Sequence, residues 1–305
     1  MRRLTITIEL ADVRRRIIAL SLLTVVGIAG VVGWRLPVSH SGSSTPVAVV
    51  DSVRAPTQTE PAFINSRAKR GFTLLNPRER FAGTPNSASL RADSEAKVRA
   101  MVARLNESID LPVDIQISFE DCHDSEVYYD DQNHRVTICH EWLDQMQHLV
   151  SRRNNDKAGI RESVESLVIG VFLHESAHAL IDILHVPVTG REEDAADQFS
   201  TLVLMGQPDG ARKVMQVAHT YKVLSQDSLR EPPAYWDEHS LDAQRYYDTL
   251  CMIYGRDPKQ NAKLMTGDRL PDERAEICEK DYQRIETAWK TLLKPYAKDS
   301  LWQSQ

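Results

Sequence analysis

Several chemical signatures are missing from this 305-residue chain. It has no Gly-x-Ser-x-Gly elbow and no cysteine in a papain-like context, so neither a serine nor a cysteine nucleophile has support. No glycine-rich loop is arranged to cradle a phosphate. No basic patch interleaved with aromatics appears in the main body. With 43 acidic against 37 basic residues the net charge is −6, which argues against a nucleic-acid partner. Cysteines number four and make no Cys-x-x-Cys knuckle. No internal repeat is visible. Ordinary apolar content over this length suffices for one sizeable core or two small ones.

The most informative segment that is present runs Leu173-His174-Glu175-Ser176-Ala177-His178-Ala179-Leu180. Residues four apart share a helix face, so His174 and His178 can offer two imidazole nitrogens to one zinc ion. Glu175 then projects beside the metal, where a carboxylate can take a proton from water. From Leu167 to Ile181 these three are the only strongly ionisable side chains. Burying them without partners costs about 1–3 kcal/mol for each neutral group and more for the charge. A metal removes that cost, whereas the alternative is a buried polar network.

A catalytic zinc site has three protein ligands and a water. The next charged cluster, Gly190-Arg191-Glu192-Glu193-Asp194-Ala195-Ala196-Asp197, follows a Pro187/Gly190 loop that lets the chain reverse into a second helix. On that helix Glu193 and Asp197 share a face. Glu193 is therefore the expected third ligand, and Asp197 the acid that orients a ligating imidazole by accepting its other N–H. Glu192 and Asp194 fit a solvated helix start favoured by the dipole.

His174-Glu175-x-x-His178 followed by Glu193-x-x-x-Asp197 resembles the gluzincin arrangement of zinc peptidases. More narrowly, GREEDAADQF, the downstream DEHSLDAQRYYDTLCMIYG and the cysteines around a Tyr-Tyr-Asp segment resemble a bacterial family of proposed metallopeptidases whose function is little characterised. The resemblance spans about residues 72 to 280. It implies a zincin-like fold with a small sheet backing the metal-bearing helix, and it adds nothing about the substrate.

Arg14-Arg15-Arg16 precede an uncharged run from Ile17 to Trp34, about the length that crosses a hydrocarbon core. The arginine excess puts residues 1–16 in the cytoplasm and the remainder outside. The run is longer than a usual signal core and ends without a small-x-small cleavage signature, so a retained membrane anchor is expected rather than a cleaved signal. Residues 35–70, rich in Ser, Pro, Thr and Ala, read as a flexible linker with an isolated apolar patch at Val47–Val50. Residues 71–305 form the catalytic body. Outside the cytoplasm an even cysteine count favours disulfides. A hairpin brings Cys122 to Cys139, which leaves Cys251 for Cys278; free buried thiols are the alternative.

The body is expected to be α+β: helix 90–109, strand 113–119, a hairpin over 126–138, then helices 141–152, 160–184, 191–206, 209–225, 240–255 and 272–295. His239, at the start of a helix, is the candidate donor to the oxyanion of peptide hydrolysis, with Tyr246 and Tyr247 behind it. The alternative for His239 is a locally bonded helix-start residue. Asp182, four after His178, is placed to hold that imidazole; the alternative is that it only breaks an apolar stripe at the helix end. His123, His134, His140 and His148 stand in polar, hairpin or helix-surface contexts, where solvated roles are expected. The reading is of zinc-dependent hydrolysis of a protein or peptide by a membrane-tethered enzyme, with Glu175 as general base. The alternatives are a membrane-anchored scaffold with a structural zinc and a zinc hydrolase of another envelope bond.

Overall fold

A computed structural model describes residues 70–75, 85–152, 156–227, 233–265 and 269–303. The predicted membrane segment 17–34, the linker up to residue 69 and the Val47–Val50 patch lie outside the described residues. What is described is α+β: a four-stranded sheet among seven α-helices.

The first strand, β1 (Phe72–Leu74), falls at the boundary read as the end of the linker. Three residues carry too short a pattern to see. Here Asn106 imposes the extended geometry, accepting from the Phe72 N–H at 2.7 Å and donating to its carbonyl at 2.8 Å. Helix α1 (Pro85–Ser108) leads to β2 (Ile115–Glu120), then the hairpin β3 (Val127–Asp130) and β4 (Arg135–Cys139). The strand order is β1-β2-β4-β3, with β3 the antiparallel edge strand. Val127 and Tyr129 face inward while Tyr128 and Asp130 are half-buried, the period-2 alternation of a half-covered strand. In the turn Asp130 accepts from the Gln132 N–H and the Asn133 amide, and His134 sits at a φ of 47°.

Helix α2 (His140–Ser151) follows β4 directly, and α3 (Lys157–Ile183) forms the centre of the body. Asp156 caps α3 by accepting from the Ala158 and Gly159 N–H groups. From Ser163 to Ile181 every α3 residue except Glu165 and Val171 is buried, against α1, α2, α4, α5 and β3. Among the described residues α3 alone is long and apolar enough to cross a membrane, yet 83% of its most apolar window lies inside the protein. It is a core helix, apolar all round because packed all round.

Helix α4 (Glu192–Met205) reverses direction after the Gly190 loop, burying its second half and leaving its acidic first turn at the rim. Helices α5 (Gly210–Asp227), α6 (Asp242–Arg256) and α7 (Asp272–Leu293) complete the body. Where α6 meets α7 the backbones nearly touch: a Cβ on Gly255 would stand 2.2 Å from the Cys278 carbonyl oxygen. The disulfide Cys251–Cys278 joins the same two helices, and Cys122–Cys139 ties the segment after β2 to the end of β4. Both pairings are those expected from the sequence, and no described cysteine is free.

Candidate metal centre

The last turns of α3 carry His174, Glu175 and His178 at 3%, 1% and 9% exposure. Groups this polar remain at such burial only when partnered. Each imidazole spends Nδ1–H on a carboxylate of α4. His174 donates to Asp197 Oδ1 at 2.9 Å and His178 to Glu192 Oε1 at 2.9 Å. A carboxylate can only accept, so these bonds put the ring protons on Nδ1 and leave lone pairs at Nε2.

Those two Nε2 atoms lie 3.2 Å apart, and Glu193 Oε2 stands 3.0 Å from that of His174 and 3.4 Å from that of His178. Three electron-rich atoms facing one another repel unless a cation or additional protons sit among them. Burial opposes charging the rings, but Asp197 and Glu193 raise the His174 pKa, and Glu192 with Glu193 lifts that of His178 to about 10. Burial also opposes ionising Glu193, yet the three surrounding histidines hold it well below the usual carboxylate range. The pocket is therefore built to hold positive charge. A tetrahedral ion with bonds of about 2.0–2.1 Å has edges of about 3.3–3.4 Å. The three separations match those edges to a few tenths of an ångström, so the donors fit a zinc-sized cation.

His239 belongs to the same cluster. Its Nε2 is 2.9 Å from Glu193 Oε2 but is not aligned for a hydrogen bond and has no other partner, although buried. His174, Glu193 and His239 form a second group whose donor atoms lie within 4.8 Å of one another. Its position is pinned twice. Arg191 donates to its carbonyl at 3.0 Å, and the neighbouring Ser240 hydroxyl donates to Asp194 at 2.7 Å. The local bonding weighed as the alternative is also present, since Asp237 accepts from its backbone N–H at 2.8 Å and lies 3.1 Å from Nδ1.

Glu175 lies to one side, accepting from the Tyr129 N–H of edge strand β3. Its Oε1 has no partner although it is buried. Burial is the main reason its pKa rises to about 7. The open face of the cluster is a cleft of about 300 Å³ bordered by Tyr129, Asp131, Glu175, Asp182, Glu192 and Glu238, among others.

Three expectations need correcting. Asp182 does not hold His178. It accepts from the Tyr129 hydroxyl at 2.9 Å, and the His178 partner is Glu192, which the turn after α3 carries back over the ring. Glu192 and Asp194 are thus not merely a solvated helix start. Tyr246 and Tyr247 do not enter the centre either: Tyr246 is buried at 4%, packed against Tyr247 and under Lys222. His134, expected to be solvated, is 40% exposed at its side chain and also lies 3.1 Å from the Tyr129 hydroxyl.

The sequence does not single out Arg245. Buried to 7% exposure on α6, it donates from Nε and Nη2 to the two Asp197 oxygens at 2.7 and 2.8 Å. Nη2 also donates to the Tyr221 hydroxyl, whose ring lies 4.1 Å below the guanidinium carbon, and Tyr221 in turn donates to Asp197 at 3.2 Å. Burial alone would raise the Asp197 pKa, but Arg245 and His174 hold it far down. Asp197 is therefore a fixed anion behind His174. The only sequence signal was an arginine one turn into an otherwise amphipathic helix, and nothing in that pattern points to α4.

No curated protein and no solved structure matches this chain. The profile of one family, DUF4344, described as "Putative metallopeptidase", matches residues 86–293, which take in all the helices that build the centre. With two thirds of its length covered by that match, the chain belongs to this family.

Proposed function

We propose that the chain is a zinc-dependent peptidase, tethered by its N-terminal segment to the cytoplasmic membrane and acting on proteins or peptides outside it. The observation that carries this reading is the meeting of the His174, His178 and Glu193 donor atoms at 3.0–3.4 Å beside a buried carboxylate with a free oxygen. These three residues would hold the metal. Bound there, zinc supplies a Lewis acid and lowers the pKa of a ligated water to about 7.

The remaining chemistry falls to the chain's own side chains. Glu175 takes a proton through its free oxygen and returns it to the leaving amine. Its pKa of about 7 suits exchange at neutral pH, and a cation beside it lowers that value and leaves the carboxylate ready to accept. Asp197 and Glu192 fix the two imidazoles through Nδ1 and keep Nε2 turned inward. His239 stands across Glu193, where its Nε2–H, once the ring carries both protons, can donate to the carbonyl oxygen as negative charge develops there. Strand β3 supports a peptide substrate: it borders the cleft and, among the described residues, its outer edge pairs with no other strand. The tether rests on the run Ile17–Trp34 behind Arg14-Arg15-Arg16, and the two disulfides suit an oxidising compartment.

A second reading has its own observation. If His239 joins the other three on the metal, the site closes with four protein ligands and is structural. One experiment separates the two. The full-length chain in detergent is loaded with zinc and offered a pool of unstructured peptides, with cleavage followed by mass spectrometry. Cleavage that stops on chelation, and falls about 10²- to 10⁴-fold in Glu175→Gln while that variant still holds one zinc, is the expected result. Zinc without turnover in the parent favours the structural reading, and turnover undiminished in Glu175→Gln refutes the mechanism.

A further inference from the structure

We propose that the cleft beside the centre is a subsite for a positively charged side chain, so that the substrates are peptides carrying lysine or arginine next to the bond cut. This rests on the peptidase reading and adds a substrate class to it. Among the described residues six carboxylates border the cleft, and no lysine or arginine does. Three are accounted for by the centre: Glu193, Glu192 on His178, and Glu175. The other three, Asp131, Asp182 and Glu238, have no part in holding a metal. They come from three separate elements, the β3–β4 turn, the end of α3 and the segment before α6.

Among the described residues, the two arginines packed about the centre are already engaged. Arg245 lies behind His174 with both arms on Asp197, and Arg191 is bonded to the His239 carbonyl. Asp182 accepts from the Tyr129 hydroxyl, whose own pKa is raised by burial and by that carboxylate, so the phenol stays neutral and offsets no charge, and His134 Nδ1 stands 3.9 Å from the same carboxylate. Among the described residues neither Asp131 nor Glu238 has an ion-pair partner. A dication at the centre balances two of the six charges, and the cleft stays negative.

An acidic rim alone would be a solvated surface. What makes this one part of a binding site is Glu175, whose Oε1 is unpartnered at 1% exposure and borders the same cleft. A substrate engaged there brings a flanking residue against Asp131, Asp182 and Glu238. An ammonium or guanidinium then gains charge-assisted hydrogen bonds, a norleucine side chain gains none, and a glutamate is repelled.

The test uses non-hydrolysable peptides, so that binding is read apart from turnover. Hydroxamate peptides identical except for lysine, norleucine or glutamate at the residue beside the chelating group are titrated into the zinc-loaded full-length chain in detergent. The lysine peptide is expected to bind about tenfold or more tighter than the norleucine one, with glutamate weakest. That ratio should shrink with added salt and approach one in the Asp131→Asn, Asp182→Asn, Glu238→Gln variant. Equal affinity for lysine and norleucine overturns the subsite and leaves the metal centre standing, as does a ratio unchanged in the variant. Failure of every hydroxamate to bind the zinc-loaded chain overturns the centre and the subsite together.

Discussion

Arg245→Met tests whether the network behind His174 serves the centre or only fills space. In the parent the guanidinium is 7% exposed and meets both Asp197 oxygens, whose side chain is 21% exposed. Methionine replaces the volume and leaves the carboxylate charged without its cation. Removing one partner of a buried pair costs about 3–5 kcal/mol. Asp197 keeps bonds from Tyr221 and His174, so about 3 kcal/mol is expected here. At a urea m-value of about 3 kcal/mol/M this lowers the unfolding midpoint by about 1 M. The assay is urea unfolding of the zinc-free chain followed by tryptophan fluorescence. Adding Asp197→Asn removes the stranded charge, so the double variant should be less destabilised than the sum of the singles. A purely structural role predicts no more than this. A positioning role adds that zinc affinity, measured by competition with a chelator, falls about 10- to 100-fold, because Asp197 no longer holds the His174 ring. Arg245→Lys keeps the charge but not the fork, and should fall between. If Arg245→Met unfolds within about 0.5 kcal/mol of the parent and binds zinc equally well, the reasoning fails.

Two further outcomes are expected. The Cys251–Cys278 bridge closes a sequence separation of 27, so replacing both cysteines with serine should cost about 3–4 kcal/mol in unfolding free energy, whereas no change would mean the bridge does not constrain the unfolded chain. Asp197 has a folded pKa depressed below its unfolded value of about 3.9. Its contribution is therefore fully present above about pH 5 and is lost as pH falls through the folded value. The stability gap between the parent and Asp197→Asn should hold constant from neutral pH down to about pH 5 and shrink below about pH 4. A gap that stays level down to pH 2, measured by denaturant titration, would contradict the assignment.

The long elements were legible because each carries its period and its punctuation. Helix α3 was expected over 160–184 and runs Lys157–Ile183, and the hairpin stands where Asp-Gln-Asn separates two β-rich runs. The start of α3 was missed by one turn because Asp156, not the apolar pattern, begins it. Strand β1 was missed because its extended form is imposed by Asn106, 34 residues away, and no local propensity encodes that bond.

The centre divides the same way. His174, Glu175 and His178 were readable because they share one face of one helix, and Glu193 with Asp197 because a second helix repeats that spacing. What escaped was the choice between carboxylates whose sequence context is alike. Asp182 and Glu192 are both acids near His178. Along α3 the four-residue spacing favours Asp182, but Tyr129 of the edge strand takes up that carboxylate, and the Gly190 reversal lays Glu192 against Nδ1 instead. Arg245 is the limiting case. Its charge is legible, but that it meets Asp197 depends on how α6 crosses α4, which the packing of Leu250, Cys251 and Ile253 into the core decides. Spacing along a helix thus encodes which groups can share a face, whereas the partner on each outer nitrogen is set by tertiary contacts. How firmly the rings would hold a metal is therefore a property of α4 and α6 as much as of the helix that carries them.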